Sequence, residues 1–183
     1  MERKVYKNSI ETDKRIKEAV IELLRENKTI DKINISDVVK VAKVNRGTFY
    51  NHYNSLEEVI IDIEENIMNG FLSEVETNKR NSMFDINQIF FYSLSEYFQE
   101  REEQIKPIVS SLPIDIFKII YTRLYSTYKE VTDLKEDNAE KEILFSGITV
   151  GYLKYLSGNS PRSLKDIARF SVELMNNRVE SEK

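Results

Sequence analysis

Apolar residues return every three or four positions along almost the whole chain, and they hardly ever alternate. That period lines one face of a helix and argues against strands. The first run covers residues 12–26, with Thr12 as candidate N-cap and Ile16, Ala19, Val20, Leu23 and Leu24 on one face. Residues 27–32 read as a polar connection anchored by Ile30. Asn34 then caps a short second helix carrying Val38, Val39, Val41 and Ala42, with Asp37 favourably placed in its first turn. Asn45 caps a third that ends near residues 52–53. Ser55 and Glu58 make the capping-box pattern of a long fourth helix, which Val59, Ile63, Phe71 and Val75 carry towards residue 78. The polar run 77–82 is the clearest break after it. Further helices are predicted near 86–98, 102–111, 113–131, 138–157 and 163–177. Pro113 suits a first helical turn, residues 133–137 a charged loop, and Gly158 with Pro161 a stop. The expectation is an all-α protein of about nine helices, with a three-helix head at 1–55 and a helical body at 56–183.

Composition narrows the chemistry. The 183 residues include no cysteine, so disulfides, thiolate zinc sites, iron–sulfur clusters and cysteine nucleophiles are excluded. His52 is the one histidine, and no paired acid or nucleophile lies near it in sequence. A single histidine also excludes the usual two-histidine carboxylate site of helical-bundle enzymes. No enzyme activity, metal or cofactor is therefore expected. No apolar run approaches the roughly 18 residues of a membrane span, and the N-terminus lacks a signal-peptide apolar region. That predicts a cytoplasmic protein with no membrane partner.

The net charge of −4 conceals an asymmetry. Residues 1–56 hold 12 Lys/Arg against 8 Asp/Glu, and residues 57–183 hold 15 against 23. A basic head on an acidic body suits a protein that offers one end to a polyanion, although a charged surface also fluctuates this way by chance.

The head sharpens that choice. Residues 33–60 hold two short helix patterns joined by a tight turn, the arrangement that sets a second helix in a DNA major groove. Val38, Ala42, Val44 and Phe49 can form its small core. Arg46, Thr48, Asn51 and His52 can face outward, and Tyr50 adds another group able to touch DNA. Arg46 and Thr48 are the candidates for base edges: arginine pairs two-pronged with guanine, and the threonine methyl packs on thymine. A phosphate contact is the alternative for Arg46. Arg3, Lys4 and Lys7 form either a basic arm or a solvated terminus.

The same stretch resembles the DNA-binding head of the tetracycline-repressor (TetR/AcrR) family of bacterial regulators. The resemblance runs through Thr12, Ile16 and Ala19. It continues with Ile33-Asn34-Ile35-Ser36-Asp37-Val38, Gly47-Thr48-Phe49-Tyr50-Asn51-His52-Tyr53 and Ser55-Leu56-Glu57-Glu58-Val59. Three positions depart from the family pattern. Lys43 stands for the usual turn glycine and is expected to take a left-handed conformation. Asn45 replaces a serine cap, and Leu56 replaces a lysine that commonly meets the DNA backbone.

The resemblance implies a transcriptional repressor that binds a double-stranded operator as a homodimer and is released by a small-molecule effector. It assigns the DNA contacts to Asn34, Ser36, Lys43, Asn45, Arg46, Gly47, Thr48, Tyr50, Asn51 and His52, with Tyr50 and His52 on the phosphate backbone. It places an effector pocket among Phe71, Phe90, Tyr97, Phe117, Tyr121, Tyr125 and Phe145, residues that plain core packing explains equally well. In the family the last two helices build the dimer interface. Here Ile148, Tyr152, Tyr155, Phe170 and Leu174 are the candidates, beside a small-xxx-small pair at Gly147 and Gly151, with intramonomer core as the other reading. The rival function is a coactivator or adaptor whose body docks a protein partner and holds no small-molecule pocket.

Overall fold

A computed structural model of the chain describes residues 2–27, 29–81, 85–111, 114–134 and 139–177, with side chains described except at 2–8, 27, 80–81, 111, 114–117 and 119. Among the described residues there is no strand, and there are nine α-helices. They are α1 (Glu2–Asn27), α2 (Ile35–Val41), α3 (Arg46–Tyr50), α4 (Leu56–Asn81), α5 (Ile86–Glu100), α6 (Glu102–Ser111), α7 (Ile114–Thr132), α8 (Ala139–Leu156) and α9 (Leu164–Asn176). A short 3-10 turn, Ile30–Lys32, lies between α1 and α2. The chain forms two compact units, Met1–Ile67 with Ser110–Leu112, and Met68–Val109 with Pro113–Lys183.

The first unit is built on α1. Ile16, Ala19, Val20, Leu23 and Leu24 are all buried, as the helical period requires. The same core holds Val38 and Ala42 beside α1, Phe49 of α3, and Val59, Ile60 and Ile63 of α4. Helix α1 begins at Glu2, not at Thr12. No glycine or proline interrupts residues 2–11, and Ile10 is 53% exposed. Ser9 and Glu11 beside it are exposed too, so no core face there could reveal the extension to hydrophobic periodicity.

In the second unit α5 packs most extensively on α9, and α9 also on α8. The polar groups that α5 buries are bonded. Ser95 Oγ lies 2.9 Å from Tyr152 Oη and donates to the Leu164 carbonyl at 3.0 Å. Tyr128 donates its hydroxyl to Asn87 Oδ1 at 2.7 Å, which joins α7 to the start of α5. Pairing of this kind is what lets polar atoms sit in a core.

Helix α4 continues to Asn81, into the polar run that promised a break. Those polar residues make bonds compatible with a helix: Thr77 back to the Ser73 carbonyl at 2.8 Å, and Asn78 to Ser93 Oγ at 2.7 Å. Pro113 and residues 135–137 of the predicted charged loop lie outside the described residues. Gly158, at φ +75°, ends α8 in the left-handed conformation that closes many helices. The Ser163 hydroxyl accepts from the Asp166 amide at 3.1 Å and caps α9. No helix among the described residues is long and apolar enough to cross a membrane.

Candidate nucleic-acid interface

Three side chains shape the turn that carries α3. Asn34 Oδ1 accepts from the Asp37 amide at 3.0 Å and starts α2. Asn45 Oδ1 accepts from the Thr48 amide at 2.7 Å and starts α3. Between them Lys43 takes φ +54°, the left-handed position anticipated for the residue replacing a turn glycine. The Val44 amide reaches back to Val39 O at 3.0 Å and the Lys43 amide to Lys40 O at 3.3 Å. This is the Schellman pattern, which satisfies carbonyls at a helix end. Arg15 of α1 completes it, donating from Nε to Ala42 O at 2.9 Å and from its terminal nitrogen to Lys43 O. Nothing in the local sequence pointed to Arg15, because the contact spans two helices.

Helix α3 has one buried side and one open side. Phe49 is fully buried, and Val38 and Ala42 are buried with it. Arg46, Gly47, Tyr50 and Asn51 are exposed, as are Asn34, Ser36, Lys43 and Asn45; Thr48 and His52 are half-buried. The ten sequence-selected residues therefore all lie on α2, α3 or the segments flanking them, and none is in the core. Gly47 passes close to its own cap: a Cβ there would stand 3.3 Å from Asn45 Oδ1. The Arg46 guanidinium donates to the Ser36 hydroxyl oxygen, which joins the start of α3 to α2.

Behind the open side lies a polar cluster that the sequence did not announce. Tyr53, just after α3, is 5% exposed. Its hydroxyl donates to Asp62 Oδ2 at 2.6 Å and also meets Asp13. Lys17 Nζ bridges the same carboxylates, 2.8 Å from each. Burial, with the two carboxylates, pushes the Tyr53 hydroxyl well above the usual phenol range. Burial works to raise Asp62, but hydrogen bonds from Lys17 and Tyr53 outweigh it and hold the carboxyl low. Burial likewise works to lower Lys17, and bonds to Asp13 and Asp62 raise it overall. Asp13 and Lys17 sit four apart on α1, which the sequence does display, whereas the Asp62 partner is tertiary.

In the second unit the aromatic candidates form a contiguous cluster. Phe71, Phe90, Tyr97, Tyr125 and Phe145 are buried and Tyr121 is half-buried; the Phe117 side chain lies outside those described. Ring centroids are 5.3 Å apart for Phe71–Phe90 and 5.2 Å for Tyr125–Phe145, and Tyr121 stacks on Tyr125 at 5.9 Å. Tyr128 belongs to the cluster, 5.2 Å from Phe90, although the sequence reading left it out. Burial pushes its hydroxyl up to about 12. Of the interface candidates, Ile148 and Tyr152 are buried within the monomer, Tyr155 is half-buried, and Phe170 and Leu174 are exposed.

No protein-family profile matches the chain. Among solved structures, Thermus thermophilus FadR, a TetR-family transcriptional repressor in complex with lauroyl-CoA, aligns at a TM-score of 0.63. The alignment covers 93% of this chain and 97% of that one at 19% identity. The fold is that of the TetR family. Two curated relatives match over shorter stretches. The uncharacterized HTH-type transcriptional regulator YvdT of Bacillus subtilis (strain 168) is 39% identical over 62 residues, 34% of this chain and 31% of that protein. The HTH-type dhaKLM operon transcriptional activator DhaS of Lactococcus lactis subsp. lactis (strain IL1403) is 40% identical over 60 residues, 33% of this chain and 32% of that protein. The match to these curated relatives thus spans about a third of their length. Helix α2, its turn and α3 have a helix-turn-helix arrangement.

Proposed function

We propose that this chain is a sequence-specific DNA-binding transcriptional regulator that acts as a homodimer on a near-palindromic operator in the cytoplasm and represses until a small-molecule effector releases it. The observation that carries the reading is α3 itself: an exposed polar side bearing Arg46, Tyr50 and Asn51, fixed by a fully buried Phe49. The DNA-binding domain is residues 1–55 and the effector and dimerisation domain residues 56–183. Arg46 and Thr48 read base edges, and Tyr50 and His52 meet phosphates. Asn34, Ser36, Lys43, Asn45, Gly47 and Asn51 complete the contact surface. Such contacts release condensed counterions, so affinity for duplex DNA falls steeply with salt. The test is fluorescence anisotropy on a fragment of the chain's own promoter across a salt series. A flat dependence, or no binding at low salt, rejects the proposal.

A second copy is proposed to cover the outer side of α8 and α9. Ile143 (71% exposed), Val150 (39%), Phe170 (40%) and Leu174 (44%) leave a large apolar area there beside a groove. Gly147 has no atom within 4 Å of a would-be Cβ, which leaves room for a close neighbour. Contiguous exposed apolar area of this kind is characteristic of interaction surfaces. Leu174→Glu and Phe170→Glu are expected to sediment as monomers and bind operator weakly, and parent-like behaviour of both removes this interface.

The aromatic cluster supports a rival reading. Rings packed on one another, as Phe71, Phe90 and Phe145 are, need no ligand to fill the body. DhaS is named an activator. A coactivator or adaptor that docks a protein through its body fits both facts. FadR was captured with lauroyl-CoA, so acyl-CoAs of graded chain length are the first effectors to try. Release of the DNA complex by any of them favours the sensor over the adaptor.

A further inference from the structure

Helix α3 is five residues long. Isolated helices shorter than about 12–15 residues are marginal in water, so a helix this short does not fix its own direction. The backbone that enters it helps to aim Arg46 and Thr48. That backbone is the turn 42–44, with Lys43 at φ +54°. A side chain is disfavoured in that region, and glycine is not.

Two sets of bonds hold the turn. The first uses its amides: those of Ala42, Lys43 and Val44 reach the carbonyls of Val38, Lys40 and Val39. The second uses its carbonyls, and it comes from α1. Arg15 donates from Nε to Ala42 O at 2.9 Å, and from Nη2 to both Ala42 O and Lys43 O. A guanidinium is planar and always charged, and its donors form a rigid fork that suits two adjacent oxygens. It also stands at the C-terminal end of α2, where a cation is favourable. The same stretch of α1 reaches the other end of α3. Asp13, two residues before Arg15, meets the Tyr53 hydroxyl, and Lys17 Nζ lies 2.8 Å from Asp13. Helix α1 therefore grips the backbone before α3 and the side chain just after it. Arg15 itself is half-buried, with its fork engaged by protein carbonyls.

We infer that Arg15 is a positioning residue for DNA reading: it holds the strained Lys43 turn closed and so aims Arg46 and Thr48, without itself touching the duplex. This rests on the regulator reading above and adds to it a residue outside the contact surface.

A merely structural arginine changes how much of the chain is folded. That scales the affinity for every duplex by the same fraction and leaves the ratio between two duplexes unmoved. A positioning arginine moves the ratio. The probes are a duplex from the chain's own promoter and a scrambled duplex of equal length and composition, titrated with the full-length chain by fluorescence anisotropy. Arg15→Lys keeps the charge, and with it any simple phosphate contact, but loses the fork. It should bind the promoter duplex roughly tenfold more weakly, on the order of one lost base contact, and the scrambled duplex within about twofold of the parent. Lys43→Gly removes the strain that Arg15 contains. In that background Arg15→Lys should change the ratio by roughly twofold or less. If Arg15→Lys does not fold alone, the double variant Arg15→Lys/Lys43→Gly should recover the helical circular dichroism and the ratio of Lys43→Gly. An unchanged ratio in Arg15→Lys, an equal loss in both backgrounds, or a double variant that stays unfolded overturns the positioning role and leaves the regulator reading standing. A parent chain that binds both duplexes alike, or neither, overturns the regulator reading with it.

Discussion

The Tyr53 hydroxyl donates to Asp62 at 2.6 Å, while its ring packs 6.1 Å from the Phe49 ring that anchors α3. One residue thus ties the end of α3 to α4, and through Asp13 and Lys17 to α1. The hydroxyl has a single proton to share between two carboxylates, so the Lys17 ammonium is what balances their charge.

Tyr53→Phe keeps the ring and removes that proton. Two partly buried carboxylates then lose a donor, a loss that costs about 1–3 kcal/mol. Urea unfolding should show a lower midpoint at unchanged slope. A variant as stable as the parent would mean that Lys17 alone satisfies both acids.

The cluster also sets the pH limits of the head. Asp62 has a lowered folded pKa, so its stabilisation is present above the unfolded value near about 3.9 and is lost as pH falls through the folded one. Tyr53 and Lys17 have raised folded pKa values. Their contribution is full below the unfolded values near about 10 and declines as pH rises through and beyond them. Stability should be level from about pH 5 to 9 and fall on both sides. In Tyr53→Phe the alkaline fall should be shallower, and chemical denaturation at pH 7 and 10.5 compares the two.

Much of this was legible beforehand because the signals were local. Asn34, Asn45 and Ser55 are cap residues, and each bonds an amide three residues on. Glu58 shows the limit of even a good motif: its carboxylate reaches the Asn54 amide at 2.7 Å, one residue before the cap. The start of α1 was not legible, because Ser9, Ile10 and Glu11, just before Thr12, are exposed and mark no apolar face. The contacts Arg15–Ala42, Arg46–Ser36 and Tyr53–Asp62 were not legible either, since each joins different elements. The aromatic positions were visible as a helical pattern, but periodicity cannot say whether rings line a space or fill it.

Lys43 carries a backbone cost that glycine would not. A side chain in the left-handed region is disfavoured by roughly 1–2 kcal/mol, partly offset by the greater freedom glycine has when unfolded. Lys43→Gly should raise stability by about 0.5–1 kcal/mol while weakening operator binding and lowering the salt slope by about one. Unchanged DNA affinity would remove Lys43 from the contact surface without touching the backbone argument.

Arg46 and Ser36 separate positioning from reading. Arg46→Ala should cost about 1–3 kcal/mol of operator affinity and relax preference at one base pair. Ser36→Ala leaves the guanidinium but frees it, so it should lose less affinity and broaden the same position. An equal loss on every sequence for Arg46→Ala would reduce it to a phosphate contact.

Gly70 gives the sharpest test of packing in the second unit. Glycine inside a helix normally costs about 1 kcal/mol relative to alanine, so Gly70→Ala should stabilise α4 on propensity alone. Here a Cβ would stand 2.5 Å from the Tyr97 hydroxyl oxygen and 3.3 Å from its ring carbon. Tyr97 cannot simply swing away, because it is 4% exposed, packs 5.9 Å from Phe71 and lies under the Arg101 guanidinium at 3.9 Å. Overpacking of this kind costs about 1–3 kcal/mol, which outweighs the propensity gain, so Gly70→Ala should lower the melting temperature. Tyr97→Phe removes the atom that collides. The double variant Gly70→Ala/Tyr97→Phe should therefore be more stable than Gly70→Ala, with a coupling of about 1 kcal/mol or more between the sites. Additive behaviour of the two substitutions in thermal melts would mean that α4 shifts to admit the methyl group and that Tyr97 does not dictate the glycine.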